Sequence, residues 1–196
     1  MKTWKTPLAL LGAPCAALIL LLPASSDAIL RSYALDESKP MTYAAQADAL
    51  YVMVAEEEGN KIDTTVVVPM LMAIDKNLPV FFPSGPFTRN DFIAIAWVES
   101  DFNQMEYGTH GERGLFQIMP DEFRDWGVTD HFYGAKTNTR MAFRVLRGKY
   151  ARWHDYKKAI IAYNGVVRRK NGAWSEKYWV AFKKRKDKVD AVLGGK

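Results

Sequence analysis

Residues 92–98 are apolar without a break and run straight into Glu99. Phe92, Ile93, Ile95, Ala96 and Trp97 crowd the inner side of a helix, and Thr88 or Asn90 supplies its cap. The chain leaves that helix through a polar, glycine-bearing loop over 103–113. One carboxyl group therefore ends a greasy segment, and a loop punctuated by Gly111 and Gly114 follows it, carrying a single buried-looking amide, Gln117. An apolar surround and the helix C-terminus both disfavour negative charge on Glu99, so both raise its pKa. A carboxylic acid kept protonated near neutral pH suits a general acid. Most carboxylates are surface residues, so Glu99 alone does not decide the matter.

The remaining pattern is helical as well. Apolar residues recur at Ala44, Ala47, Leu50, Tyr51 and Val54, with Thr42 as cap and Gly59-Asn60 as stop. The stretch from Val66 to Ile74 is apolar on most faces; Asp63 and Thr64 as caps favour a helix over a strand. Leu78 to Pro86 carries three prolines and a glycine and reads as a connector. Pro120 opens a short helix through Trp126. Thr137 or Asn138 opens a longer one that ends around Tyr150 and turns Met141, Val145 and Leu146 inward. Asp155 caps Tyr156 to Tyr163, and Ser175 caps a last helix into a basic tail. The expectation is a mainly α fold with little β.

The N-terminus reads as an address. Lys2 and Lys5 precede an apolar run from Leu8 to Leu22, Pro23 breaks it, and Ser26-Asp27-Ala28 follows. That order matches a secretory signal peptide over 1–28. An uncleaved membrane anchor is the alternative, although the run is short beside the ~20 apolar residues of a full span. Either way the bulk of the chain is delivered outside the cytoplasm. Cys15 is the sole cysteine and has Gly12 three residues before it, which speaks against lipoprotein processing. Without it the chain has no disulfide framework and no cysteine metal site. His110, His131 and His154 show no ligand spacing, so no metal and no cofactor are expected.

The formal charge of +5 favours an anionic partner such as nucleic acid, acidic lipid or a wall polymer. Much of the excess lies in Arg168-Arg-Lys170 and Lys183-Lys-Arg-Lys186. Such runs read as a solvated helix face or a frayed tail, with attraction to anionic wall polymers as the functional alternative.

Three motifs carry the chemistry: Glu99-Ser100, then Gly114-Leu-Phe-Gln117-Ile-Met-Pro120, then Ala162-Tyr163-Asn164. Glycines let a polymer approach closely, Gln117 offers a donor and acceptors suited to sugar hydroxyls and acetamido groups, and the Tyr163 phenol is placed to orient a carboxyl. In this order and spacing the motifs resemble the soluble lytic transglycosylase family of the lysozyme superfamily. The resemblance covers Thr88 to about Lys184. Phe116 stands where that family usually has methionine. Glycine follows Asn164 directly, with Val166 where the family commonly has its glycine.

The resemblance implies a lysozyme-like α-helical domain over 88–196 with a basic C-terminal tail, preceded by a helical extension over 29–87. It implies cleavage of the MurNAc-β-1,4-GlcNAc bond in peptidoglycan, giving 1,6-anhydroMurNAc ends. Glu99 would serve alone as acid and base. Ser100, Gln117, Tyr163 and Asn164 would line the cleft, with Met119 and Phe116 against the sugar or in the core. The partners are glycan strands and a secretion, pilus or phage assembly. Nucleic acid is not expected, and membrane contact is expected only through an uncleaved N-terminal segment. A muramidase is the nearest rival and would need a second carboxylate; Asp101, Glu112, Asp121 and Asp125 are its candidates. A non-catalytic wall-binding component is the rival from another class.

Overall fold

The computed structural model describes residues 40–129, 131–165 and 176–194. The leader, the basic triplet 168–170, Val166 and the cap expected at Ser175 lie outside the described residues. The described residues form seven helices and no strand, so the fold is mainly α.

Helix α1 (Tyr43–Glu58) starts where the Thr42 hydroxyl accepts the Ala45 N–H at 3.2 Å and stops at Gly59, which turns left-handed at φ 68°. Helix α2 (Thr64–Phe81) starts at Asp63, whose carboxylate accepts the Thr65 N–H at 2.9 Å. It runs on through Leu78 to Phe81, so the connector expected from Leu78 begins only after Phe81. Pro79 removes one ladder donor, but an aromatic cluster holds the end of the helix. Phe81 lies 5.6 Å from Phe143, and Phe82 lies 4.7 Å from Phe87 and 6.2 Å from Phe92. By length and composition α2 could cross a membrane. Here Val67, Met70, Leu71, Ala73 and Ile74 are buried, while Met72 and Val80 are exposed.

Helix α3 (Arg89–Ser100) is the centre of the molecule. Asn90 through Trp97 are all buried, so no side of it faces solvent over that span, and the single inner side expected from the sequence is too narrow a reading. Its first turn closes on Asp91. That buried carboxylate accepts the Thr88 N–H at 2.6 Å, the Thr88 hydroxyl at 3.1 Å and the Tyr156 hydroxyl at 2.7 Å. The remaining helices are α4 (Pro120–Asp125), α5 (Ala135–Trp153), α6 (Tyr156–Tyr163) and α7 (Lys177–Leu193). Helices α2 and α7 pack directly on α3, while α5 bridges α2 and α6. Phe92 stacks on Phe143 of α5 at 3.7 Å. Residues of α1 and α2 share one continuous core with those beyond Thr88.

Helix α5 begins at Ala135 behind Gly134, two to three residues before the expected Thr137 or Asn138. Asn138 is no cap, because its amide is buried and committed elsewhere. Asp155 does cap α6, accepting the Lys158 N–H at 2.8 Å.

The basic run at 183–186 is also corrected. It is neither frayed nor simply solvated: Lys184 and Arg185 fasten α7 to α1, while Lys183 and Lys186 pair along α7 itself. Lys184 meets Glu57 at 2.5 Å, Arg185 meets Glu58 at 2.8 Å, and Lys188 pairs with Glu57 as well. Lys186 contacts Asp190 at 2.5 Å and approaches Asp91 at 3.9 Å. Helix α1 ends in Glu56-Glu57-Glu58, so the pairing joins an acidic helix end to a basic helix face.

Asp91→Ala strips the Thr88 N–H and the half-buried Tyr156 hydroxyl of their acceptor. We expect a loss of roughly 3 kcal/mol, read from the urea midpoint. A cost of about 1 kcal/mol would reduce the role of Asp91 to helix capping alone.

Candidate active site

The α3 C-terminus sets the site. Asp101 and Phe102 take left-handed backbone angles, φ 49° and 62°, and turn the chain sharply away. Two successive non-glycine residues in that region store strain. The burial of Phe102 and its stacking on Trp97 at 6.5 Å hold the turn. Glu99 is left partly buried on the wall of a cleft of about 660 Å³.

The opposite wall is the loop from Asn103 to Met119. It folds on itself through paired bonds between Arg113 and Ile118, N–H to carbonyl at 3.0 and 3.1 Å. Three side chains from three helices then clamp its backbone. Ser100 of α3 donates to the Leu115 carbonyl at 2.8 Å. Tyr163 of α6 donates to the Phe116 carbonyl at 3.0 Å. Asn138 of α5 accepts the Phe116 N–H at 2.8 Å and donates to the carbonyls of Arg113 and Phe132, each at 2.9 Å. Gly114 lies so close to Asn138 that a Cβ there would stand 2.6 Å from its amide nitrogen, and its φ of 76° also favours glycine.

The clamp delivers Gln117. Its Nε2 donates inward to the carbonyls of Glu106 (3.2 Å) and Gly114 (2.9 Å), which leaves Oε1 toward the cleft. Met119 is exposed on the rim, and Tyr163 and Asn164 close the far end. The structure thus brings Glu99, Gln117, Met119, Tyr163 and Asn164 to one cleft. It does not bring Ser100 or Phe116 there. Ser100 is buried and spends its hydroxyl on the Ala96 and Leu115 carbonyls. Phe116 is fully buried, so its side chain belongs to the core and only its backbone serves the loop.

The partner of the Glu99 carboxyl is a residue that sequence reasoning missed. Tyr178, near the start of α7, donates its hydroxyl to Glu99 Oε1 at 2.6 Å. Tyr163 does not fill that role, since its hydroxyl is taken by Phe116. Burial lifts the Glu99 pKa above the ordinary carboxylate value to about 7. The Tyr178 hydrogen bond pulls it back, and the negative charge of Glu112 pushes it further up.

Of the candidate second carboxylates only Glu112 lines this cleft. Burial alone would raise its pKa, yet hydrogen bonds from its own backbone and from His110 hold it below the ordinary value. Asp101 lies toward α1 and α7, where Arg185 approaches it at 3.7 Å; burial and the nearby Glu58 push its pKa up to about 6. Asp121 is exposed and pairs with Arg124 at 2.7 Å. Asp125 is exposed on the last turn of α4. Among the described residues no group of three His, Cys, Asp or Glu side chains forms a ligand set for a metal.

The family model of the transglycosylase SLT domain matches residues 88–186. The chain belongs to that family. No curated protein and no solved structure gives a significant match. The matched span of this SLT chain runs from the α3 cap at Thr88 into α7 and so contains every side chain of the cleft. Family membership supports a lytic-transglycosylase-like function directed at peptidoglycan, and proteins of this family act on the cell wall.

The burial of Glu99 has a pH signature. Unfolded, it titrates near 4.5; folded, near 7. In between, the folded state holds a proton that the unfolded state has lost. The stability of the protonated form is fully present below the lower value and is lost as pH rises through the upper one. Glu99→Gln carries no charge and retains an oxygen for Tyr178. Its melting temperature should match wild type near pH 4 and exceed it near pH 8, by about 1–3 kcal/mol in stability. A variant that melts lower than wild type near pH 8 would mark Glu99 as a structural carboxylate.

Proposed function

We propose that this SLT protein is a lytic transglycosylase that cuts the MurNAc-β-1,4-GlcNAc bond of peptidoglycan without water as the nucleophile. One observation carries the reading: Glu99 stands on the wall of the cleft with one oxygen held by Tyr178, and burial lifts its pKa to about 7. In the proposed sequence Glu99 gives its proton to the leaving oxygen as the bond to the anomeric carbon breaks. The resulting carboxylate takes the proton of the muramyl 6-hydroxyl, which closes onto that carbon as a 1,6-anhydro ring. The acid is regenerated in the same turnover. The Gln117 oxygen and the Asn164 amide suit the hydroxyl and acetamido groups of a glycan. The site is proposed to work outside the cytoplasm, in the service of a secretion, pilus or phage assembly that must breach the wall.

Tyr178 acts through Glu99 and is a positioning residue. Its hydrogen bond occupies Oε1 and leaves the proton to Oε2. Tyr178→Phe removes an interaction that lowers the Glu99 pKa, so the alkaline limb of the pH–rate profile should move to higher pH while kcat falls. An unmoved limb would show that the phenol does no more than fill space.

The reaction is tested by mass spectrometry of muropeptides released from purified sacculi by the chain from Ile29 onward. Anhydromuramyl ends, lighter than reducing ends by one water, are expected. Glu99→Gln should lower their release by roughly 100-fold or more while still binding sacculi. Undiminished release by Glu99→Gln would remove Glu99 from the chemistry. Binding without release in the wild type would favour a non-catalytic wall component.

A further inference from the structure

The cleft holds a second carboxylate that a purely non-hydrolytic reaction does not use. Glu112 is built into place by its own loop. Its carbonyl accepts the Gly108 N–H at 2.8 Å, and the next residue, Arg113, is locked to Ile118. Its Oε2 accepts the His110 N–H at 2.9 Å, and its Oε1 lies 3.3 Å from His110 Nδ1. Gly108 makes the room: a Cβ there would stand 2.2 Å from Glu112 Oε2 and 2.6 Å from Gln117 Oε1. The missing side chain at 108 therefore lets a carboxylate and the Gln117 oxygen share one corner of the cleft. The Glu112 side chain is about a quarter exposed, so water reaches it.

The two glutamates differ in charge. Burial brings Glu99 to about 7, so that it keeps a proton for part of the time near neutral pH, whereas the hydrogen bonds to Glu112 hold that group below the ordinary carboxylate value. A hydrolytic glycosidase likewise uses two carboxyl groups whose surroundings drive their protonation apart, one as acid and one as anion. Glu122 lines the cleft too, from the first turn of α4, but it is the charge of Glu112 that is felt at Glu99.

We propose that Glu112 is a second catalytic carboxylate and that the same cleft also hydrolyses the glycan bond, releasing reducing muramyl ends beside anhydro ends. The inference rests on the reading of this cleft as a glycan-cleaving site. Glu99 protonates the leaving oxygen, and the bonding pair departs with that oxygen. The positive charge that develops at the anomeric carbon is stabilised by the Glu112 anion. Water then competes with the 6-hydroxyl. Its oxygen bonds to the anomeric carbon, and its proton passes to Glu112. Glu99 ends ionised and Glu112 protonated, and exchange with solvent resets both. No oxidant, metal or co-reactant enters.

The test is digestion of sacculi in water enriched in oxygen-18, with anhydro and reducing muramyl ends counted by mass. Wild type should give both, each reducing end carrying one heavy oxygen. Glu112→Gln keeps an acceptor for the His110 N–H; it should slow total cleavage and lower the ratio of reducing to anhydro ends by roughly tenfold or more. Glu112→Asp keeps the charge and should restore part of the ratio; it also decides the case should Glu112→Gln melt early. Anhydro ends alone from wild type would overturn the inference and leave the transglycosylase reading standing. So would an unchanged ratio in Glu112→Gln, or reducing ends lost in Glu122→Gln instead. Reducing ends alone, abolished by Glu112→Gln, would support the second carboxylate and sink the transglycosylase reading. No release by the wild type would overturn both.

Discussion

Enclosure of α3 on all sides is the constraint from which the rest follows. From Asn90 to Trp97 every residue is buried, and water is excluded from the helix over that span, which stops two residues short of Glu99. A carboxyl group at the end of such a helix has little solvent to stabilise its charge. The elements that enclose α3 are also those that supply the cleft. Helix α7 brings Tyr178, α6 brings Tyr163, and α5 reaches the loop through Asn138. The ion pairs between α1 and α7 secure the enclosure from outside. Each is worth little alone in solvent. Their value here is geometric, since they fix the helix that carries the Glu99 partner.

The loop opposite Glu99 has no sheet to hold it, only two isolated bridges. Its order comes from side chains bonding to its backbone. Ser100, Tyr163 and Asn138 meet the backbone of two consecutive residues, Leu115 and Phe116. This gives a physical account of two of the three motifs. Ser100 follows Glu99 directly, so the turn that presents the acid also anchors the facing loop. Tyr163 bonds to the loop one residue before Gln117. The motif residues are thus tied to each other through the loop backbone more than through a common ligand.

Much of this was legible from the sequence, and the boundary of what was legible has physical causes. Thr42, Asp63 and Asp155 announced helix starts because capping is a local interaction. The raised pKa of Glu99 could be read because the apolar run that leads into it is local in sequence. Tyr178 could not be read, since its hydroxyl meets a residue 79 positions away and an aromatic ahead of a basic run resembles any helix surface. Asn138 was read as a cap from its residue type; its buried amide instead serves a loop more than twenty residues earlier. The end of α2 was misplaced because Pro79 is a strong local signal that distant aromatic contacts outweigh. The basic run looks solvated in sequence because the acidic partners of Lys184 and Arg185 lie more than a hundred residues away in α1. A complementary acidic run, Glu56-Glu57-Glu58, was present as a clue.

The protonation of Glu99 rests on a balance rather than on burial alone. Burial and the Glu112 charge raise its pKa, while the Tyr178 hydroxyl lowers it. Without the phenol the acid would bind its proton more tightly and release it less readily to a leaving oxygen. Without burial it would be ionised and have no proton to give. Proton transfer is most effective when the pKa lies near the working pH, and the opposed influences bring Glu99 there. The phenol adds direction to that balance. A protonated carboxyl has two oxygens, and a hydroxyl donated to one assigns the proton to the other. Tyr178 therefore sets both how firmly the proton is held and which side of the group presents it, from a helix whose position depends on charges paired at the far end of α1.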